Sequence, residues 1–147
     1  MPTLPMMENA ERLGHLCWVL EEVASCAGRL ARAELHDRPV DARILGTWSS
    51  ALAVHAAAVG GRIPLVGGLG RTGVVRPDAD GAALVSHLPQ TTSGAVEVLR
   101  RTLAAIAGQV ADHRRAVHPT IDGPTARLLD RLVDDLDRLR AVPEDAR

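Results

Sequence analysis

The chain has 147 residues and a formal charge of −1, enough for one domain that buries roughly two thirds of its unfolded surface. With no basic surplus it is not expected to bind nucleic acid. Its basic side chains other than histidine are all arginine and it contains no tyrosine, which excludes Schiff-base lysines, a Walker lysine and tyrosyl acids or radicals.

Hydrophobic residues make up 46% of the chain, yet only Trp18 and Trp48 are aromatic. A core of Leu, Val, Ile and Ala suits packed helices better than sheets. The opening MPTLPMMENAERL has no basic segment followed by an apolar run, so no signal peptide is expected. No apolar run reads as membrane-spanning, and the expected location is the cytoplasm.

A first helix is predicted over residues 9–36, capped by Asn9 or Thr3, with Leu13, Leu16, Cys17, Leu20, Val23, Ala24, Ala27 and Leu30 on its apolar face. Glu8, Glu11, His15 and Glu22 share a second stripe nearly opposite, which reads as a solvated face rather than a ligand set. Glu21 flanks the core side. Cys17 and Cys26 are nine residues apart, on opposite faces and too far separated to bond, so they read as free thiols of a reducing compartment.

Asp37-Arg38-Pro39 is a turn, and Asp41 is the expected cap of a second helix over 41–61. Ile44, Trp48, Ala51, Leu52, His55, Val59 and Arg62 recur on one face, and Ile63-Pro64 ends it. This helix reads as the one around which the others are organised. His55 stands inside its apolar stripe, where an imidazole needs a hydrogen-bond partner, a metal or a ligand.

Residues 60–94 are dense in Gly and Pro and read as a long crossover loop, with one short helical turn between Ala82 and Leu88. Gly67 to Gly73 invites a phosphate-loop reading but lacks the Walker spacing and lysine. A third helix over 93–118, capped by Thr92 or Ser93, carries Val96, Leu99, Leu103, Ile106, Val110, His113 and Val117 as an unbroken seam. A fourth over 123–141 begins at Asp122-Gly123-Pro124 and faces Leu128, Leu129, Leu132, Leu136 and Leu139 inward. Its outer Asp130, Asp134 and Asp137 are expected to pair with Arg127, Arg131 and Arg138, while Asp135 lies beside the leucine seam.

The segments around His55-Ala56 and Arg62-Ile63-Pro64, and the run from Ala116 to Arg127, resemble actinobacterial ferritin-like proteins. The resemblance covers about three quarters of the sequence. It implies an all-α, antiparallel four-helix bundle with a long crossover between the second and third helices, spanning 1–147 as one domain. It also implies a carboxylate-bridged dinuclear metal centre built from Glu and Glu-x-x-His ligands. His55 matches the second-helix histidine, but Leu52 stands where its glutamate belongs, and Arg138 follows Asp135 where a histidine belongs. No dinuclear iron is therefore expected. Glu21, His55, His113 and Asp135 could together hold one metal ion.

Three roles are open at this point. The chain is an interaction or accessory protein, acting as a homodimer through a surface around Trp18 and Val19. Otherwise it is a bundle repurposed to bind a small, anionic molecule, with Arg62 and Trp48 in the ligand site. The alternative is an enzyme with His55 and His113 as acid and base, or with a mononuclear oxidoreductase metal there.

Overall fold

The computed structural model describes residues 4–64 and 70–141, and within them every regular element is a helix. These are α1 (Met6–Glu34), α2 (Pro39–Arg62), α3 (Arg71–Val74), α4 (Ala79–Ser86), α5 (Ala95–Ala116) and α6 (Gly123–Arg140). The all-helical expectation holds. Gly67, Gly68 and Leu69 of the phosphate-loop reading, Thr3 and the tail from Val142 lie outside the described residues.

The helix starts differ from the expected caps because prolines and a glycine do the work. α1 begins after Pro5 with no side-chain cap, so Asn9 lies inside the helix. Pro39 supplies the first residue of α2, where a missing N–H costs nothing, and Asp41 sits in the first turn. Gly94 precedes α5 with φ 67°, a left-handed value that Ser93 or Thr92 would adopt only at a cost. The expected cap of α6 is present, since Asp122 accepts from Thr125 N.

The most extensive helix contacts join α1 to α2 and α5 to α6. Both pairs run antiparallel. Ser49 Oγ donates to Ala24 O at 2.8 Å and Cys17 Sγ to Ala56 O at 3.5 Å, while Arg114 bonds Asp130 at one end of α5 and α6 and Arg100 bonds the Arg140 carbonyl at the other. α2 also runs antiparallel to α6, from Trp48 against Leu139, through His55 against Asp135, to Arg62 against Asp122.

The predicted seams all face the core. Leu13, Leu20, Leu52, Leu103, Ile106, Leu129, Leu132 and Leu136 have no exposed surface, and each contributes roughly 1.5–3 kcal/mol by burial. The central element is α1 rather than α2, for α1 touches α2, α3, α4 and α5. The reason lies in the crossover, which folds back over the second face of α1 instead of running free. α3 approaches so closely that a Cβ on Gly14 would sit 2.0 Å from Val74 O. α4 lies over Trp18 and Val19, with Gly81 so near that a Cβ would stand 2.9 Å from Val19 Cγ2. Val19 is buried and Trp18 half-buried within the chain, which removes them as the expected dimer surface. The same folding buries both Cys17 and Cys26 although they lie on opposite faces of one helix.

α2 is also the one described helix long and apolar enough to cross a membrane, by length and composition, where the sequence reading expected none. Here it packs against α1, α5 and α6.

Candidate functional site

The six residues singled out from sequence fall into separate settings. Trp48 is 1% exposed and structural: its Nε1–H donates to Leu139 O at 3.1 Å, and the Arg100 guanidinium sits 5.7 Å from the ring centroid. Glu21 pairs with Arg71, which also donates to Cys17 Sγ at 3.8 Å. Burial and then the Glu21 carboxylate push the Cys17 thiol up to about 11, so it is a protonated packing group.

His55 and Asp135 do come together. His55 Nε2 lies 3.1 Å from Asp135 Oδ2, and Asp135 Oδ1 accepts from Arg138 Nη1 at 3.0 Å. This couple stands between α2 and α6, beside a pocket of about 290 Å³ lined by His55, Ala58, Pro124, Arg127, Leu128 and Arg131.

His113 and Arg62 belong to a different assembly, one that ties all four long helices at one end. Asn9 Nδ2 donates to Asp122 Oδ2 at 3.2 Å, which leaves Asn9 Oδ1 as an acceptor for His113 Nε2 at 2.8 Å. Asp122 Oδ1 accepts from Arg62 Nη2 at 3.1 Å and from Thr125 N at 3.2 Å, and Thr125 Oγ1 accepts from Arg62 as well. Arg62 is thereby neutralised by Asp122, so it is a clamp on the start of α6 and not the free cation expected for an anionic ligand.

His55 and His113 therefore line different cavities and cannot act as acid and base on one molecule. Among the described residues no group of three or more His, Cys, Asp or Glu side chains is placed to hold a metal ion. The expected mononuclear set of Glu21, His55, His113 and Asp135 does not assemble, because Glu21 and His113 each have partners elsewhere. The dinuclear centre implied by the resemblance does not fit either. Leu52, fully buried, occupies the glutamate position, and two close cations in a core need several bridging carboxylates.

A cleft lies between α1, the start of α4 and α5. It measures about 230 Å³, with His113 and His15, Arg12, Gln109, and the carboxylates of Asp78, Asp80 and Asp112 around an apolar floor of Leu16, Val19 and Val110. His113 is only 5% exposed. Burial first, then the nearby Arg12 charge, lower its pKa to about 4, with Asp122 acting weakly the other way. The imidazole is thus neutral at pH 7, with Nε2–H committed to Asn9 and Nδ1 left as an acceptor. His15 Nδ1 donates to Arg76 O at 2.7 Å, which leaves its Nε2 likewise as an acceptor. Arg12 is paired with Glu8 at 2.8 Å.

Sequence reasoning found His113 but gave His15 to solvent and passed over Asp78, Asp80, Gln109 and Asp112. The stripe containing His15 was visible. What hid its meaning was the return of α4 over that face, which a Gly-rich segment without helical period does not announce. Comparison with protein-family models, with curated proteins and with solved structures finds no match for this chain.

Proposed function

We propose that the chain is a ferritin-like, antiparallel four-helix bundle repurposed to bind a small molecule in the cleft between α1, α4 and α5. The observation that carries this reading is His113, a neutral, nearly buried imidazole held in one tautomer by Asn9 in the wall of that cleft. Two imidazoles stand with three carboxylates over an apolar floor; Asp112 is paired with Arg115 and Asp78 accepts from Gly81 N, so Asp80 is the carboxylate open to a ligand, while Arg12 is paired with Glu8. Such a surround suits a ligand that donates hydrogen bonds and carries positive charge, such as a primary ammonium on a short apolar body. Two buried free thiols suit a reducing cytoplasm.

The test is titration with benzylamine, followed by NMR at the ring nitrogens of His113 and His15. Saturable shifts at both rings that vanish in D80N support the reading. No saturable shift up to about 10 mM, a dissociation constant worth less than 3 kcal/mol, overturns it.

The homodimer expected from sequence is proposed through a different surface. On α2, Val54 is 68% exposed with Ala53, Ala57 and Ala58 beside it, and this apolar face supports self-association. Sedimentation equilibrium of the wild type and V54R checks it: a wild-type monomer, or a dimer that persists in V54R, rejects that surface.

A further inference from the structure

We propose that the pocket beside His55, between α2 and α6, is a second and independent site, which takes the phosphoryl group of a small organic phosphate. Arg127 and Arg131 are one turn apart on α6, on the same edge of the pocket, and both are exposed. Neither has a carboxylate within ion-pair distance among the described residues. This is not for want of acids on that helix. Asp130 is taken by Arg114 on α5 at 2.8 Å, Asp135 by His55 and Arg138, and Asp137 by Arg140. The i,i+4 pairing expected from sequence has been replaced by these partners, Asp134 pairs with neither arginine, and two guanidinium groups line the cavity unpaired, while the Asp135 carboxylate beside it is already shared by His55 and Arg138.

A guanidinium fork matches two oxygens of an oxyanion, and two forks match a dianion. Asp135 holds the Nε2 edge of His55, so the ring serves as an oriented wall of the pocket and the two arginines are the donors to the phosphoryl oxygens. Ala58, Pro124 and Leu128 complete the lining with apolar surface, which gives a small organic substituent somewhere to lie. The volume, about 290 Å³, admits a phosphate together with a ring-sized group. The site shares no lining residue with the His113 cleft and would stand if that cleft bound nothing.

Calorimetric titrations with phenyl phosphate, inorganic phosphate and benzyl alcohol test the assignment. The expected result is saturable binding of phenyl phosphate, weakened at least about tenfold in R127Q/R131Q and kept in R32Q/R43Q, which loses the same charge elsewhere. Inorganic phosphate binding as tightly as phenyl phosphate, with the same loss in R127Q/R131Q, also supports the site and identifies free phosphate as its occupant. Binding of benzyl alcohol alone, binding undiminished in R127Q/R131Q, equal weakening in both double variants, or no binding overturns the proposal. All four arginines are on the surface, so far-ultraviolet circular dichroism suffices to show that each variant is folded.

Discussion

The imidazole of His113 and the carboxamide of Asn9 hold each other across 104 residues of chain, Nε2–H donating to Oδ1 over 2.8 Å. Each fixes the other's orientation, since the Asn9 amide nitrogen is spent on Asp122. Removing the amide in N9A leaves the ring N–H and Asp122 Oδ2 without that partner, so a loss of about 1–3 kcal/mol is expected in urea unfolding. A change below about 0.5 kcal/mol would show that the pair contributes little.

The same imidazole sets a pH dependence. Its folded pKa, about 4, lies below the ordinary 6.5, so between those values the unfolded chain takes up a proton that the folded one refuses. Its contribution is complete above about pH 6.5 and is lost as the pH falls through 4, by roughly 3 kcal/mol in all. The charged and titratable groups around it are Arg12 and His15 on α1, Asp78 and Asp80 at α4, Asp112 on α5 and Asp122 at α6. Stability measured from pH 7.5 to 4 should fall less steeply in H113Q than in the wild type. Parallel profiles would mean that His113 does not carry the slope.

Two glycines inside helices should respond with opposite sign. At Gly14 a methyl would collide with the Val74 carbonyl, forcing α3 away from α1. Gly108, in the middle of α5, has nothing within 4 Å of such a methyl. G108A should gain roughly 0.5–1 kcal/mol from helix propensity, and G14A should lose at least about 1 kcal/mol despite the same gain. Thermal denaturation of both variants decides it, and stabilisation by G14A would contradict the docking of α3.

Truncating Trp48 to Ala removes a fully buried ring, the hydrogen bond to Leu139 O and the cation–π contact with Arg100. A loss of about 3–5 kcal/mol is expected by chemical denaturation. W48F, which keeps a ring but no donor, should lose less. Equal losses would assign the whole effect to the indole N–H.

Neither thiol should react readily in the folded protein. Burial raises the pKa of both Cys17 and Cys26, the nearby Arg29 charge acting the other way at Cys26. At pH 8 alkylation of Cys17 by iodoacetamide should be about a hundredfold slower than in the denatured chain and that of Cys26 slower too, with both sites labelled once unfolded. Fast labelling of Cys17 in the native state would place α2 or α3 elsewhere.

The long helices were legible because their apolar residues keep a period that only one backbone geometry satisfies. The seam from Val96 to Val117 and the leucines of α6 needed no tertiary information. The starts of α2 and α5 were misplaced because Asp41 and Ser93 are good caps in principle, whereas Pro39 and Gly94 stood in better positions to begin the turn. α3 and α4, at four and eight residues, are too short to show a helical period, so that only a turn between Ala82 and Leu88 was legible, and what fixes them is the surface of α1. The chemistry of the marked side chains was also readable, as buried histidines needing partners. Which partners they found depends on helix rotation and register, and so His55 meets Asp135 while His113 meets Asn9.

The polar ties that close the long helices have a bearing on how the protein is made. Asn9 waits for Asp122, Trp48 waits for the carbonyl of Leu139, and Arg62 waits for Asp122 and Thr125. Each of these residues is paired by α6 or by the residue that caps it. Until α6 and its cap are in place, the hairpin of α1 and α2 therefore holds a bare indole donor, an uncompensated guanidinium and a carboxamide whose nitrogen lacks its acceptor. Docking of α6 thus satisfies polar groups on both α1 and α2 at once, and a chain without that helix should leave all three of them to water.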